Sequence, residues 1–187
     1  MENEKHTTAS DWMPTNLPWK AEFWSGLEAM TVMRLNPHWH IDSENGAYKV
    51  EDILSHATFP TQALVSAQDG LCTMDFAGAG LSIAARRNEQ GKTDLSYRFE
   101  PGATPGLDAQ KAESAMRFWL PSLREYYRLF TADSLQNKFW RVFMNKVMLK
   151  MNPTQRRICA FMFKLTLLEM LLIVILGVGF WFYVNAG

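Results

Sequence analysis

Few side chains in this sequence are spaced for covalent or metal chemistry. His38 and His40 lie two apart, so an extended Pro37–Ile41 points both the same way. With Glu51 or His56 they would make a ligand set for zinc or copper, and without a third ligand they are an ordinary surface strand beside Trp39. No metal site is assigned, with His38 and His40 as the residual candidates. Asp75 and the Glu51-Asp52 pair could act as acid and base, but single carboxylates near strands are usually solvated. No GxSxG, P-loop, HExxH or dinucleotide fingerprint is present, and Gly78-Ala-Gly80 lacks the third glycine. No nucleophile is spaced to meet a base. Two cysteines, Cys72 and Cys159, are too few for a disulfide framework or a Cys-rich zinc site. These residues point to a chain that is not an enzyme.

One carboxylate stands out by its surroundings. Glu169 is the sole charge in the twenty residues Leu165–Val184. Twenty helical residues rise about 30 Å, the thickness of a bilayer's hydrocarbon core. Arg156, Arg157 and Lys164 precede this run, and only Asn185, Ala186 and Gly187 follow it. The positive-inside rule then expects a single-pass tail anchor, the N-terminal domain in the cytoplasm, with a bacterial inner membrane as the favoured setting. Trp181 and Tyr183 fall at the far interface, where aromatic belts lie. Glu169 either sits near the headgroups and pairs loosely with Lys164 or lipid amines, or contacts a partner transmembrane helix. Gly177 and Gly179 form a small patch for helix approach, without GxxxG spacing.

The charges are segregated. Residues 1–133 hold 12 Lys and Arg against 18 Asp and Glu, whereas residues 134–187 hold 7 against Glu169 alone. The zero net charge argues against a nucleic-acid partner, and the basic C-terminal part suits an anionic bilayer face. Ser134 can cap a helix from Leu135 to about Met151, ended by Asn152-Pro153. Its Lys138, Arg141, Lys146 and Lys150 interleave with Leu135, Phe139, Trp140, Val142 and Phe143. This composition fits an interfacial membrane helix, all four cations holding it to lipid, or else a core helix with a solvated basic face.

The chain therefore divides into a polar N-terminal extension (1–16), an α+β cytoplasmic domain (17–133), the basic juxtamembrane helix (134–153) and the anchor (154–187). Asp11–Pro18 reads as extended with aromatic anchors, and Ala21–Leu35 as one helix. Period-two alternation marks Leu81–Ala85 and Leu95–Phe99 as a hairpin around Asn88–Lys92, with a strand at Leu71–Phe76 before it. Gly78 and Gly80 mark a turn or bulge. Tyr48–Leu54 and Ala63–Ala67 complete about five antiparallel strands. After Pro101-Gly102 and a loop to Gly106 comes a long helix, about Leu107–Phe130, which Pro121 should kink. The order of Leu71–Phe99 followed by Ala109–Phe130 resembles the START-like (SRPBCC, helix-grip) superfamily, whose curved antiparallel sheet wraps a long C-terminal helix. The pattern departs from that family in showing no clear strand ahead of Ala21–Leu35. The resemblance implies an apolar cavity that holds a lipid, a quinone or a similar molecule.

Two functions follow. One is an accessory, non-catalytic subunit of a larger membrane complex, of respiratory or photosynthetic type, docked on other integral membrane subunits and needing no cofactor. Seven tryptophans and twelve phenylalanines exceed what one small core needs, and aromatics favour interfaces. The other is a membrane-tethered binder or carrier of a quinone or lipid. A third, a small cyclase-like or hydrolytic enzyme, needs convergent polar groups inside the cavity.

Overall fold

Alternation of apolar and polar residues from Ala57 to Phe99 sets the architecture, because it gives one sheet face to bury. A computed structural model describes residues 8–44, 47–100 and 109–185. Its strands are β1 (Thr8–Ala9), β2 (Met13–Pro18), β3 (Trp39–Glu44), β4 (Ala47–Asp52), β5 (Ala57–Gln68), β6 (Leu71–Ala77), β7 (Leu81–Arg87) and β8 (Lys92–Phe99). The helices are α1 (Ala21–Ser25), α2 (Ala29–Leu35), α3 (Ala109–Thr131), α4 (Leu135–Lys146) and α5 (Pro153–Asn185), with a 3-10 turn at Met148–Lys150. The fold is α+β. Two compact units divide it, Met1–Lys150 and Met151–Gly187.

Among the described residues, β1 and β2 share one edge of β8, and the antiparallel sheet then runs β8-β7-β6-β5-β4-β3, filling seven positions. The segment before Leu17, separable by sequence, is thus partly an edge of the sheet. β5 joins its two halves: Ala57–Thr61 pairs with β4, and Gln62–Gln68 pairs with β6. Close approach occurs at that handover. Gly78 has φ +87°, and a Cβ there would stand 2.3 Å from the Pro60 carbonyl oxygen. Thr61 Oγ1 donates to the Ala77 carbonyl at 2.7 Å.

The single helix expected over Ala21–Leu35 is two. Gly26 ends α1 with its N–H on the Glu22 carbonyl, and Glu28 is extended at φ −80°, ψ 137°. The break lets Leu27 turn into the core. α3 stays helical through Pro121, and Ala112, Met116, Trp119, Leu123 and Tyr127 form its buried face. The expected helix start at Leu107, the Pro101–Gly106 loop and the first seven residues lie outside the described residues.

The space between the sheet and α3 is occupied by aromatic rings. Trp119 stands 4.6 Å from Trp39 and 4.9 Å from Phe76, ring centre to ring centre. Trp119 Nε1–H donates to the Val32 carbonyl at 2.8 Å, tying α3 to α2. Tyr127 Oη donates to the Pro18 carbonyl and accepts the Lys20 N–H at 2.9 Å, tying α3 to the end of β2. Lys20 Nζ donates to the Phe130 carbonyl at 2.8 Å, a cation on the last turn of α3.

Candidate functional site

Polar side chains converge at the corner between α3 and α4. Ser134 is the N-cap of α4, its Oγ accepting the Asn137 N–H at 3.1 Å. One residue earlier, Asp133 receives Arg141 at 2.6 Å and Lys138 at 3.2 Å. Hydrogen bonds from Arg141 first, then Lys138, hold the Asp133 carboxyl below the usual carboxylate range. The Arg141 guanidinium also lies 5.4 Å from the centre of the Phe130 ring. Tyr126 Oη donates to Asn145 Oδ1 at 2.8 Å, and burial pushes that phenol up.

These contacts fix which face of α4 meets the domain. Arg141 and Asn145 are turned inward by polar bonds, and Met144 packs against the core. The apolar stripe is turned outward: Leu135 is 85% exposed, Phe139 62% and Val142 54%. Phe139, Trp140 and Phe143 touch one another along it, with ring centres 5.5 to 6.3 Å apart. No residue of α4 is buried. A helix in a soluble domain ordinarily buries its apolar stripe; α4 leaves most of its stripe exposed and meets the domain through Arg141, Met144 and Asn145. The alternative of a core helix with a solvated basic face fails here. So does the expectation that all four cations are free for lipid, since Lys138 and Arg141 are held by Asp133. Lys146 is exposed, as is Lys150, which borders a groove.

That groove, about 870 Å³, opens between α1–α2 and α3–α4. Phe23, Leu27, Tyr126 and Phe130 line it, with Glu28 and Lys150 among its charges. Nothing in the sequence pattern marked it, because its two walls are a hundred residues apart.

α5, taken by itself, starts on a reciprocal cap. Asn152 Oδ1 accepts the Gln155 N–H at 2.8 Å, and Gln155 Oε1 accepts the Asn152 N–H at 3.0 Å. Pro153 then fills the first helical position, where its missing N–H has no intrahelical partner to lose. The helix has 33 residues and is long and apolar enough to cross a membrane. Arg156 Nε donates to the Met151 carbonyl at 3.0 Å, while Arg157 and Lys164 are exposed in the turns before the apolar run.

Helix geometry separates residues that the sequence places near one another. Lys164 and Glu169 are five apart, about 140° around the axis, and neither takes part in an ion pair among the described residues. Gly177 and Gly179 are two apart, about 200° around, so they do not form one patch. A Cβ on either meets no atom within 4 Å. Trp181 and Tyr183 are exposed near the helix end.

The described histidines do not gather. His38 is buried, its ring edge-on to Phe118 at 5.3 Å, and its backbone N–H donates to Asn36 Oδ1 at 2.9 Å. His40 Nε2 lies 3.5 Å from Asp42, and His56 stands in a turn at φ +56°. Among the described residues no three His, Cys, Asp or Glu side chains are grouped to hold a metal ion. Asp52, a candidate acid, is buried and caps a turn, accepting the Leu54 N–H at 2.9 Å and the Ser55 hydroxyl at 3.0 Å. Asp75 is exposed on β6. Burial raises the Cys72 thiol to about 11, so it is no nucleophile.

No protein-family model matches the chain, and neither a curated protein nor a solved structure is significantly similar to it.

Proposed function

We propose that this chain is a single-span, non-catalytic accessory subunit of a larger membrane protein complex, with its folded domain on the cytoplasmic side. The observation that carries the reading is Glu169, the sole charged residue in the apolar run Leu165–Val184 of α5. A carboxylate in hydrocarbon is expensive, so such groups usually face another protein segment. The basic flank of Arg156, Arg157 and Lys164 supports the orientation. The aromatic rings between the sheet and α3 support a structural role over a carrier's. The test replaces Leu165–Val184 by an unrelated poly-Leu span and compares mild-detergent extracts on a native gel. Comigration of the wild type, but not the swap, with a large complex supports the subunit. A monomeric wild type with bound lipid or quinone sinks it.

A second reading, the membrane-tethered carrier, is favoured by one specific observation. β2 lies ahead of α1, where the sequence pattern showed no clear strand, and the long helix α3 follows the antiparallel strands, the order of sheet and helix on which the helix-grip resemblance rests. Mass spectrometry of the purified chain decides it: stoichiometric lipid or quinone that survives the span swap supports the carrier.

A further inference from the structure

We infer that α4 is an in-plane membrane helix, with Leu135, Phe139, Val142 and Phe143 seated at the headgroup–acyl boundary of the bilayer that holds α5; the inference rests on the reading that α5 spans. The stripe is bare, and polar bonds to Asp133 and Tyr126 hold it pointing away from the domain. A lipid surface is the occupant favoured by charge. From Ser134 to Leu168 the chain has seven cations and no acid, and Lys146, placed within the stripe, can snorkel to phosphates. Continuity of the chain gives the second argument. Six residues, a reach of about 20 Å when extended, separate Lys146 from Pro153, and twelve helical residues, about 18 Å, lie between Pro153 and the apolar run at Leu165, so the chain is long enough for α4 to reach the face of a membrane that holds the span. Because Lys138 and Arg141 are engaged by Asp133, the apolar stripe carries the attachment and charge assists it.

The experiment uses the full chain in vesicles of mixed zwitterionic and anionic phospholipid, in a Cys159→Ser background. Nitroxide labels are placed singly at Leu135, Phe139, Val142 and, as a water reference, Glu89. None of these α4 positions is buried, so the fold tolerates the label. The expected result is an oxygen-to-nickel-chelate accessibility ratio about tenfold higher at the three α4 sites than at Glu89, unchanged in 1 M salt, as for groups 5–10 Å below the headgroups. Equal ratios at all four sites overturn the proposal. So does loss of the difference in high salt, which would make charge the holding force. Exclusion of both reagents at α4 overturns it in favour of protein contact: broadening that grows with protein-to-lipid ratio marks a second copy, and its absence marks a different partner. Alkaline carbonate extraction of the same vesicles keeps the two readings apart. A chain that is retained, yet has α4 in water, overturns this inference alone; a chain that is released overturns the span as well.

Discussion

Trp119 is the side chain on which the packing of the domain's centre is best tested. It is fully buried, lies against Trp39 and Phe76, and gives its indole N–H to the Val32 carbonyl at 2.8 Å. Trp119→Ala removes the whole ring system from a closed site. Transfer and cavity terms for such a change come to about 3–5 kcal/mol. The unpaired Val32 carbonyl adds about 1 kcal/mol. The sum, about 4–6 kcal/mol, rivals the total stability of a small domain, about 5–15 kcal/mol, so the Ala variant should be marginal. Trp119→Phe keeps one ring and loses the hydrogen bond and the second ring. It should cost about 2–3 kcal/mol. Equilibrium unfolding of the full chain in mild detergent, followed by near-ultraviolet circular dichroism, measures both. A cost below about 1 kcal/mol for Trp119→Ala would refute the reasoning, because a residue lining an open lumen leaves no new cavity when truncated.

Three further outcomes follow from single residues. Gly78→Ala forces a Cβ against the Pro60 carbonyl at a positive φ and should lower stability by at least about 2 kcal/mol in the same assay, whereas Gly177→Ala, which meets nothing within 4 Å, should leave the isolated chain unchanged. Asp133 has a lowered folded pKa, so its pairing with Arg141 and Lys138 contributes fully above the unfolded Asp value of about 3.9 and is lost as pH falls through the folded value below it. Protection of the α4 amides, taken relative to their intrinsic exchange rate at each pH, should therefore fall only at strongly acidic pH in the wild type, and in Asp133→Asn should not change over that range; loss of protection near pH 6 would contradict the pairing. Cys72, with its thiol raised to about 11, should resist maleimide at pH 8 in the native chain and react on unfolding; rapid native labelling in a Cys159→Ser background would contradict its burial.

What the sequence disclosed and what it hid have definite physical causes. Strands β6 to β8 were legible because Leu81, Ile83 and Ala85 alternate with Ser82 and Ala84, and one face is buried. β2 was read as extended but not as a strand, because Pro14 and Pro18 read as punctuation. They are tolerated because β2 pairs on one side only, with β8. Pro60 hid the first half of β5 in the same way, although it pairs opposite Lys49. The break in Ala21–Leu35 turned on the extended Glu28, which side-chain periodicity does not report. α4 was legible as an amphipathic helix from Ser134 onward. Which face meets the domain was not, since a helical wheel ranks faces by polarity and cannot know that Tyr126 and Asp133 wait on the polar side. The grouping of Gly177 with Gly179, by contrast, failed on information the sequence held: a helical step of about 100° per residue already separates them.

The two readings of the domain make opposite demands on one contact. A carrier has to open, and the ladder hydrogen bonds between neighbouring strands resist opening through the sheet. Its softer wall is where helix meets helix, and there α2 and α3 are joined by the Trp119 bond to Val32 while Trp39 and Phe76 lie behind it. A ligand entering by that wall would have to separate α2 from α3 and displace those rings, exposing a buried N–H and carbonyl together. Each such group left unpaired costs about 1–3 kcal/mol. An accessory subunit has no need to open, and the same packing holds α3 still, and with it the Asp133 and Tyr126 contacts that aim the stripe of α4. The ring packing and the bare stripe are then parts of one arrangement, in which α3 anchors a helix whose apolar face is turned outward.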